Sequence, residues 1–185
     1  MKLFFNNAGP CVPGDNYMID PLQRIDHLMI KDLIEQKRYF VLHAPRQTGK
    51  TSCMLALMDY LNAQGDYRAL YTNIESAQVA REQVQRGIRS VAYALARTAK
   101  YYLQDDTLAI WLRQHAAEEP AENLLTSLLE AWCQQTDKPI VLFIDEIDAL
   151  VGDTLISVLR QIRAGYAQRP AGFPISIVLL SLIHI

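Results

Sequence analysis

The sequence predicts an α/β chain, a three-layer fold with a central, mostly parallel sheet and helices on both faces. Short, apolar, β-prone runs at residues 39–44, 67–73 and 139–145 alternate with longer stretches of helical periodicity. The last of these runs, PIVLFID, is apolar until its terminal acid, which is the pattern of a parallel strand buried on both faces. The first run breaks at Pro45, and a new helix begins at Lys50 after Gly49, giving a strand–loop–helix unit.

In chain order, residues 1–21 read as an extended loop, with turn signals at Gly9-Pro10 and Pro13-Gly14. The apolar start, Met1 to Phe5, ends too soon for a signal peptide. Leu22, Ile25, Leu28, Met29, Leu33 and Ile34 recur at helical spacing and predict an amphipathic helix ending near Gln36. After the 39–44 strand, a helix runs from Lys50 to about Ala63 and is closed by Gly65. The 67–73 strand leads into a mostly helical stretch from about Gln78 to Gln135, interrupted near Asp105-Asp106 and Glu119-Pro120. Beyond the 139–145 strand, Asp153 is expected to cap a helix reaching about Gln168, and Pro174 introduces a last apolar run from Ile175. Residues 180–185, LSLIHI, resemble the translation of a transposon-end adapter used in sequencing libraries. They are expected to be a non-native tail, with the fold incomplete at the C-terminus.

With 185 residues, 50% of them hydrophobic and 21% charged, the chain fits one globular core, placed at residues 22–179. A net charge of −2 gives no global reason to expect nucleic acid. Cys11, Cys53 and Cys133 are odd in number and lack metal-ligand spacing, which points to reduced thiols in a cytoplasm. No stretch is long enough to span a bilayer.

Ala44-Pro45-Arg46-Gln47-Thr48-Gly49-Lys50-Thr51 fits the P-loop pattern except that Ala replaces its first Gly. A phosphate chain needs converging backbone N–H groups, a helix N-terminus behind them, a lysine for the β and γ oxygens and a hydroxyl for Mg²⁺. The expected nucleotide-binding set is therefore Ala44, Pro45, Arg46, Gln47, Thr48, Gly49, Lys50, Thr51 and Ser52. Asp145 ends a predicted central strand, where a carboxylate can hold Mg²⁺, and Glu146 is one step further, placed to polarise an attacking water. Asp148 extends this acidic tip and reads equally well as a solvated loop residue or helix cap.

These two motifs, the second spanning Phe143-Ile144-Asp145-Glu146-Ile147-Asp148, resemble those of the AAA-like P-loop ATPases, near the archaeal-type, signal-transduction and origin-recognition groups. The resemblance covers nearly the whole chain. It implies a P-loop NTPase sheet of the additional-strand type, with the run from Ile175 to Leu179 inserted between the strands that carry the two motifs. It implies ATP and Mg²⁺ as cofactors, with Lys50 on the phosphates, Thr51 and Asp145 serving the metal, and Glu146 as catalytic base. It also implies that the sensor, arginine finger, fifth strand and helical lid lie outside this sequence. The function implied is ATP hydrolysis driving a conformational switch, with a protein partner or further copies of the chain as partners.

Other features keep two readings. Arg46 suits a phosphate, a neighbouring subunit or solvent. Tyr17, Met18 and Ile19 suit an adenine or a hydrophobic staple, and Asn73 and Glu75 suit a plain turn. On the predicted helix near 84–103, Arg86, Arg89, Arg97 and Lys100 cluster around Tyr93, as a nucleic-acid backbone would require; a solvated face is favoured, and also for Arg160 and Arg163. The rivals to a switch ATPase are a nucleic-acid-associated module, a small-molecule kinase and a noncatalytic ATP-binding module.

Overall fold

A computed structural model describes residues 3–6, 14–45 and 47–181. Among these residues the strands β1 (Phe40–His43), β2 (Arg68–Asn73), β3 (Ile140–Asp145) and β4 (Ser176–Ser181) form one parallel sheet in the order β1-β4-β3-β2. The run expected as the inserted strand is β4, with Val178 paired to Phe40 on one side and to Phe143 on the other. It includes Leu180 and Ser181, opposite Leu42 and His43; residues 182–185 of the expected tail lie outside the described residues.

The helices are α1 (His27–Glu35), α2 (Lys50–Gln64), α3 (Val84–Leu103), α4 (Thr107–His115), α5 (Ala121–Gln134) and α6 (Gly152–Ala164). Strand periodicity separates two cores. Ala69, Tyr71, Val141, Phe143 and Val178 pack with Ile30, Ile34, Met54, Leu57 and Leu61 of α1 and α2. Leu70, Leu142, Ile144 and Ile177 pack with α3, α5 and α6 through residues such as Val91, Leu95, Leu128, Trp132 and Val158. The same alternation carries Tyr71 and Asp145 to the α2 side of the sheet. Because all strands are parallel, Asn73, Asp145, Ser181 and His43 end at one edge, where open parallel sheets take their ligands.

Two expectations are corrected. The helix predicted from Leu22 is broken: Pro21–Arg24 is a 3-10 turn, and α1 starts afresh after Asp26, whose side chain accepts from Met29 N. The break rephases the helix, so Ile30 and Ile34 are buried while Leu28 and Met29 are exposed. Asp153 does not cap α6: the cap position is Val151, and Asp153 lies in the first turn, where a carboxylate still complements the helix dipole. The helical stretch does break at the predicted places, giving α3, α4 and α5. Of the turn signals in the leading loop, Gly14 adopts φ 89°, whereas Gly9, Pro10 and Pro13 lie outside the described residues.

Candidate nucleotide site

The loop between β1 and α2 turns sharply through two left-handed residues, Gln47 with φ 60° and Gly49 with φ 80°. Gly49 is favoured there by its backbone, and the end of the flexible Arg24 side chain lies close against it. Its φ suits glycine, and an added Cβ would lie 2.7 Å from Arg24 Nη1. Thr48 Oγ1 donates to the Pro45 carbonyl at 2.8 Å, Arg24 Nη2 donates to the Thr48 carbonyl at 3.0 Å, and Ala44 N donates to Ser181 O at 3.3 Å. The loop is thus tied to itself, to the segment before α1 and to β4. Gly49 occupies the cap position of α2, and no side chain caps it. The N-terminus of α2 is therefore open to an anion. Arg46 lies outside the described residues.

Lys50, Thr51 and Ser52 form the first turn of α2. Thr51 Oγ1 donates to Asp145 Oδ2 at 3.1 Å, and Lys50 Nζ lies 3.5 Å from Asp145 Oδ1. Asp145 is fully buried. The Lys50 ammonium is buried too and has no hydrogen-bond partner among the described residues. A buried ammonium commonly has several acceptors, so one ion pair leaves it short of contacts that phosphate oxygens would complete. The oxygen donors Thr51 and Asp145 are the hard ligands that suit Mg²⁺. On both counts the residues fit a nucleotide and its metal.

Glu146 follows in a left-handed conformation, φ 60° and ψ 42°, with its N–H donating to Asp145 Oδ1 at 2.9 Å. For a non-glycine residue this conformation is strained, and such strain is often found at functional turns. Burial, then the charge of Asp145, pushes the Glu146 carboxyl above its usual range; Asp148 and Glu75 add to this and Lys50 opposes it. That is the direction a general base working near neutral pH needs. Asp148 sits in the 3-10 turn Ile147–Ala149. Asn73 accepts from Glu75 N at 2.8 Å in a plain turn. Tyr17 and Ile19 are exposed, just ahead of Pro21, whose carbonyl accepts from Cys53 Sγ of α2 at 3.3 Å.

Two residues that the sequence reading passed over complete the site. Arg24 holds the loop as described. Tyr71, on β2, donates its hydroxyl to Asp145 Oδ2 at 2.7 Å. Burial, then the neighbouring Asp145 charge, raises the phenol's pKa, so it stays the donor. Aromatics in a strand read first as core, and no local pattern pairs residue 71 with residue 145.

A parallel sheet with β4 inserted between β1 and β3, and a P-loop facing an acidic strand end, define an AAA-like P-loop ATPase relative. More narrowly, the chain belongs to the family described as "Nephrocystin 3, N-terminal", which matches residues 25–181. Among solved structures it is similar in fold to a chain in the Drosophila ORC bound to poly(dA/dT) DNA and Cdc6, with a TM-score of 0.53 and 11% identity. That similarity covers 90% of this chain and 25% of the other, so the present chain spans a quarter of its relative's length. A search of curated proteins found no match.

Proposed function

We propose that this chain binds ATP with Mg²⁺ at the loop of residues 44–52 and hydrolyses ATP to drive a conformational switch. The observation that carries this reading is the buried Lys50 ammonium, set between an open helix N-terminus and Asp145 with no hydrogen bond of its own. Lys50 would leave Asp145 for the β and γ oxygens, and the α2 N-terminus would add its dipole to the same charge. Thr51 and Asp145 would hold the metal. Mg²⁺, when bound, neutralises charge on the phosphates. Glu146 would take a proton from the water whose oxygen bonds to the γ phosphorus as the bond to ADP breaks. Loss of the γ-phosphate removes one of Lys50's two phosphate partners, and the contacts released around the loop would supply the switch. Buried free thiols at Cys53 and Cys133 support a cytoplasmic setting. No helix among the described residues is long and apolar enough to cross a membrane.

The test is turnover in the full-length protein. Glu146→Gln is expected to keep ATP affinity and lower phosphate release by roughly 10²- to 10⁴-fold, the contribution of a positioned base. Unchanged turnover would rule out Glu146 as the base, and no turnover in the wild type would leave a noncatalytic binding module.

A second reading has an observation of its own. Arg86 and Arg97 are exposed and Arg89 is half-buried on the face of α3 that carries Tyr93, which is 52% exposed. None of the three arginines has an ion-pair partner among the described residues, whereas Lys100 is paired with Asp106 at 2.9 Å. The spacing suits a nucleic-acid backbone, with ATP controlling the grip. Salt-dependent DNA binding that is lost on Arg89→Glu with Arg97→Glu would favour it. A protein partner or self-association is compatible with either reading.

A further inference from the structure

Asp145 is fully buried and its carboxylate has four neighbours that stabilise it. Oδ2 accepts from Tyr71 and Thr51, at 2.7 and 3.1 Å. Oδ1 accepts from Glu146 N at 2.9 Å and faces Lys50 Nζ at 3.5 Å. The four differ in what a bound nucleotide would do to them. Lys50 is the cation that phosphate would draw away, and the Thr51 oxygen would be shared with the metal. The Glu146 N–H is fixed by the turn. Tyr71 alone is a side chain from outside both motifs, with no role toward phosphate.

Its position is set by the sheet. Asn73 lies opposite Asp145 in the parallel β2–β3 ladder, so Tyr71 is two residues back on the same face, and its long ring spans the diagonal to the carboxylate. The ring is buried in the α2-side core, and Tyr71 N also donates to Met58 Sδ at 3.3 Å. Both the hydroxyl and the strand beneath it are therefore held in place without the nucleotide.

We propose that Tyr71 is a positioning residue for the metal: its hydroxyl holds Asp145 Oδ2 so that the carboxylate keeps its aim when Lys50 leaves for phosphate. The inference rests on the nucleotide site described above. Donors behind a ligating carboxylate fix its orientation and are worth more to the metal than to the rest of the ligand. Tyr71 thus couples Mg²⁺ to ATP binding and contributes little to the affinity for ATP alone.

The experiment is equilibrium binding of ATP, in EDTA and in a Mg²⁺ titration, to the wild-type chain and to Tyr71→Phe, which removes one oxygen and keeps the ring. Metal-free ATP affinity should stay within about twofold of wild type, while the gain in affinity produced by Mg²⁺ should fall on the order of tenfold. An unchanged or larger Mg²⁺ gain in a folded Tyr71→Phe protein would overturn the proposal, even if the variant were less stable, because a merely structural role moves stability and leaves the Mg²⁺ gain alone. If Tyr71→Phe does not fold, 3-fluorotyrosine at position 71 keeps the hydroxyl and gives a ¹⁹F signal. A change on adding Mg²⁺ to the ATP complex, beyond that caused by ATP, supports the proposal, and no such change overturns it. Wild-type chain that binds no ATP at all would instead bring down the site reading, and this inference with it.

Discussion

The two edges of the sheet each carry a carboxylate that gathers its neighbours, and they do so to different ends. At the amino edge, Asp105 accepts from Arg68 Nη2 at 2.8 Å, Trp132 Nε1 at 2.9 Å and Thr107 N at 2.9 Å. These donors join the start of β2, the end of α5 and the turn between α3 and α4. Each belongs to the framework, and the Arg68 guanidinium is hydrogen-bonded to the carboxylate through Nη2, although its buried Nε has no partner among the described residues. At the carboxyl edge, Asp145 gathers Thr51, Tyr71, Glu146 and Lys50, and Lys50 is held by charge at 3.5 Å without a hydrogen bond. A network whose cation is hydrogen-bonded to the carboxylate staples the fold, while one whose cation is held by charge alone is set up for exchange. Donors gathered around a carboxylate therefore do not by themselves mark a site; a buried cation held there without any hydrogen bond does.

The comparison breaks most readily at Asp105. Asp105→Ala leaves the Trp132 Nε1 donor without its acceptor and should cost about 1–3 kcal/mol of stability, with little from the partly exposed Arg68 pair. Urea unfolding gives the cost, and ATP affinity should not move. A loss of ATP binding in folded Asp105→Ala would mean that the two edges are coupled. At the other edge, Gly49→Ala places a Cβ 2.7 Å from Arg24 Nη1 in a left-handed turn. It should cost about 1–2 kcal/mol in thermal unfolding, with weaker ATP binding because the Arg24 hold on Thr48 is disturbed.

The smallest effect is a pH dependence. Burial works to raise the Asp105 carboxyl, but the Trp132 and Thr107 hydrogen bonds and the Arg68 charge outweigh it, leaving the group below its ordinary value. The unfolded chain then binds more protons than the folded one as pH falls through the ordinary aspartate value, about 3.9. The contribution is fully present above that pH and is lost below it as the folded carboxyl protonates. Stability measured across this acidic range should fall more steeply in the wild type than in Asp105→Asn.

Much of this was legible in the sequence because it is local. Short β-prone runs, the 139–144 one apolar throughout, marked the strands, and the inserted strand was expected at Ile175 from the resemblance and lies there as β4. The loop motif and Asp145-Glu146 are contiguous residues, and the structure brings Lys50, Thr51 and Asp145 together. What was not legible depends on register or on competing local signals. Tyr71 meets Asp145 only through the β2–β3 ladder, across 74 positions of sequence. Arg24 reaches Thr48 only because the chain turns before Asp26 caps α1, and that cap broke a pattern that otherwise read as one helix. At α6, the acid read as a cap falls within the first turn, since the chain enters the helix through Val151 and Gly152.

The most direct test of the nucleotide site is thermal unfolding of the wild-type chain and of Lys50→Ala, titrated with ATP in the presence and absence of Mg²⁺. At ATP near 100 times its Kd, binding confined to the folded state adds about 2.7 kcal/mol, a rise of roughly 5–10 °C for a domain of this size. That rise should appear in the wild type with Mg²⁺ and be absent from Lys50→Ala. Equal shifts in the two proteins, or no shift in folded wild type, would contradict the assignment of Lys50 to phosphate.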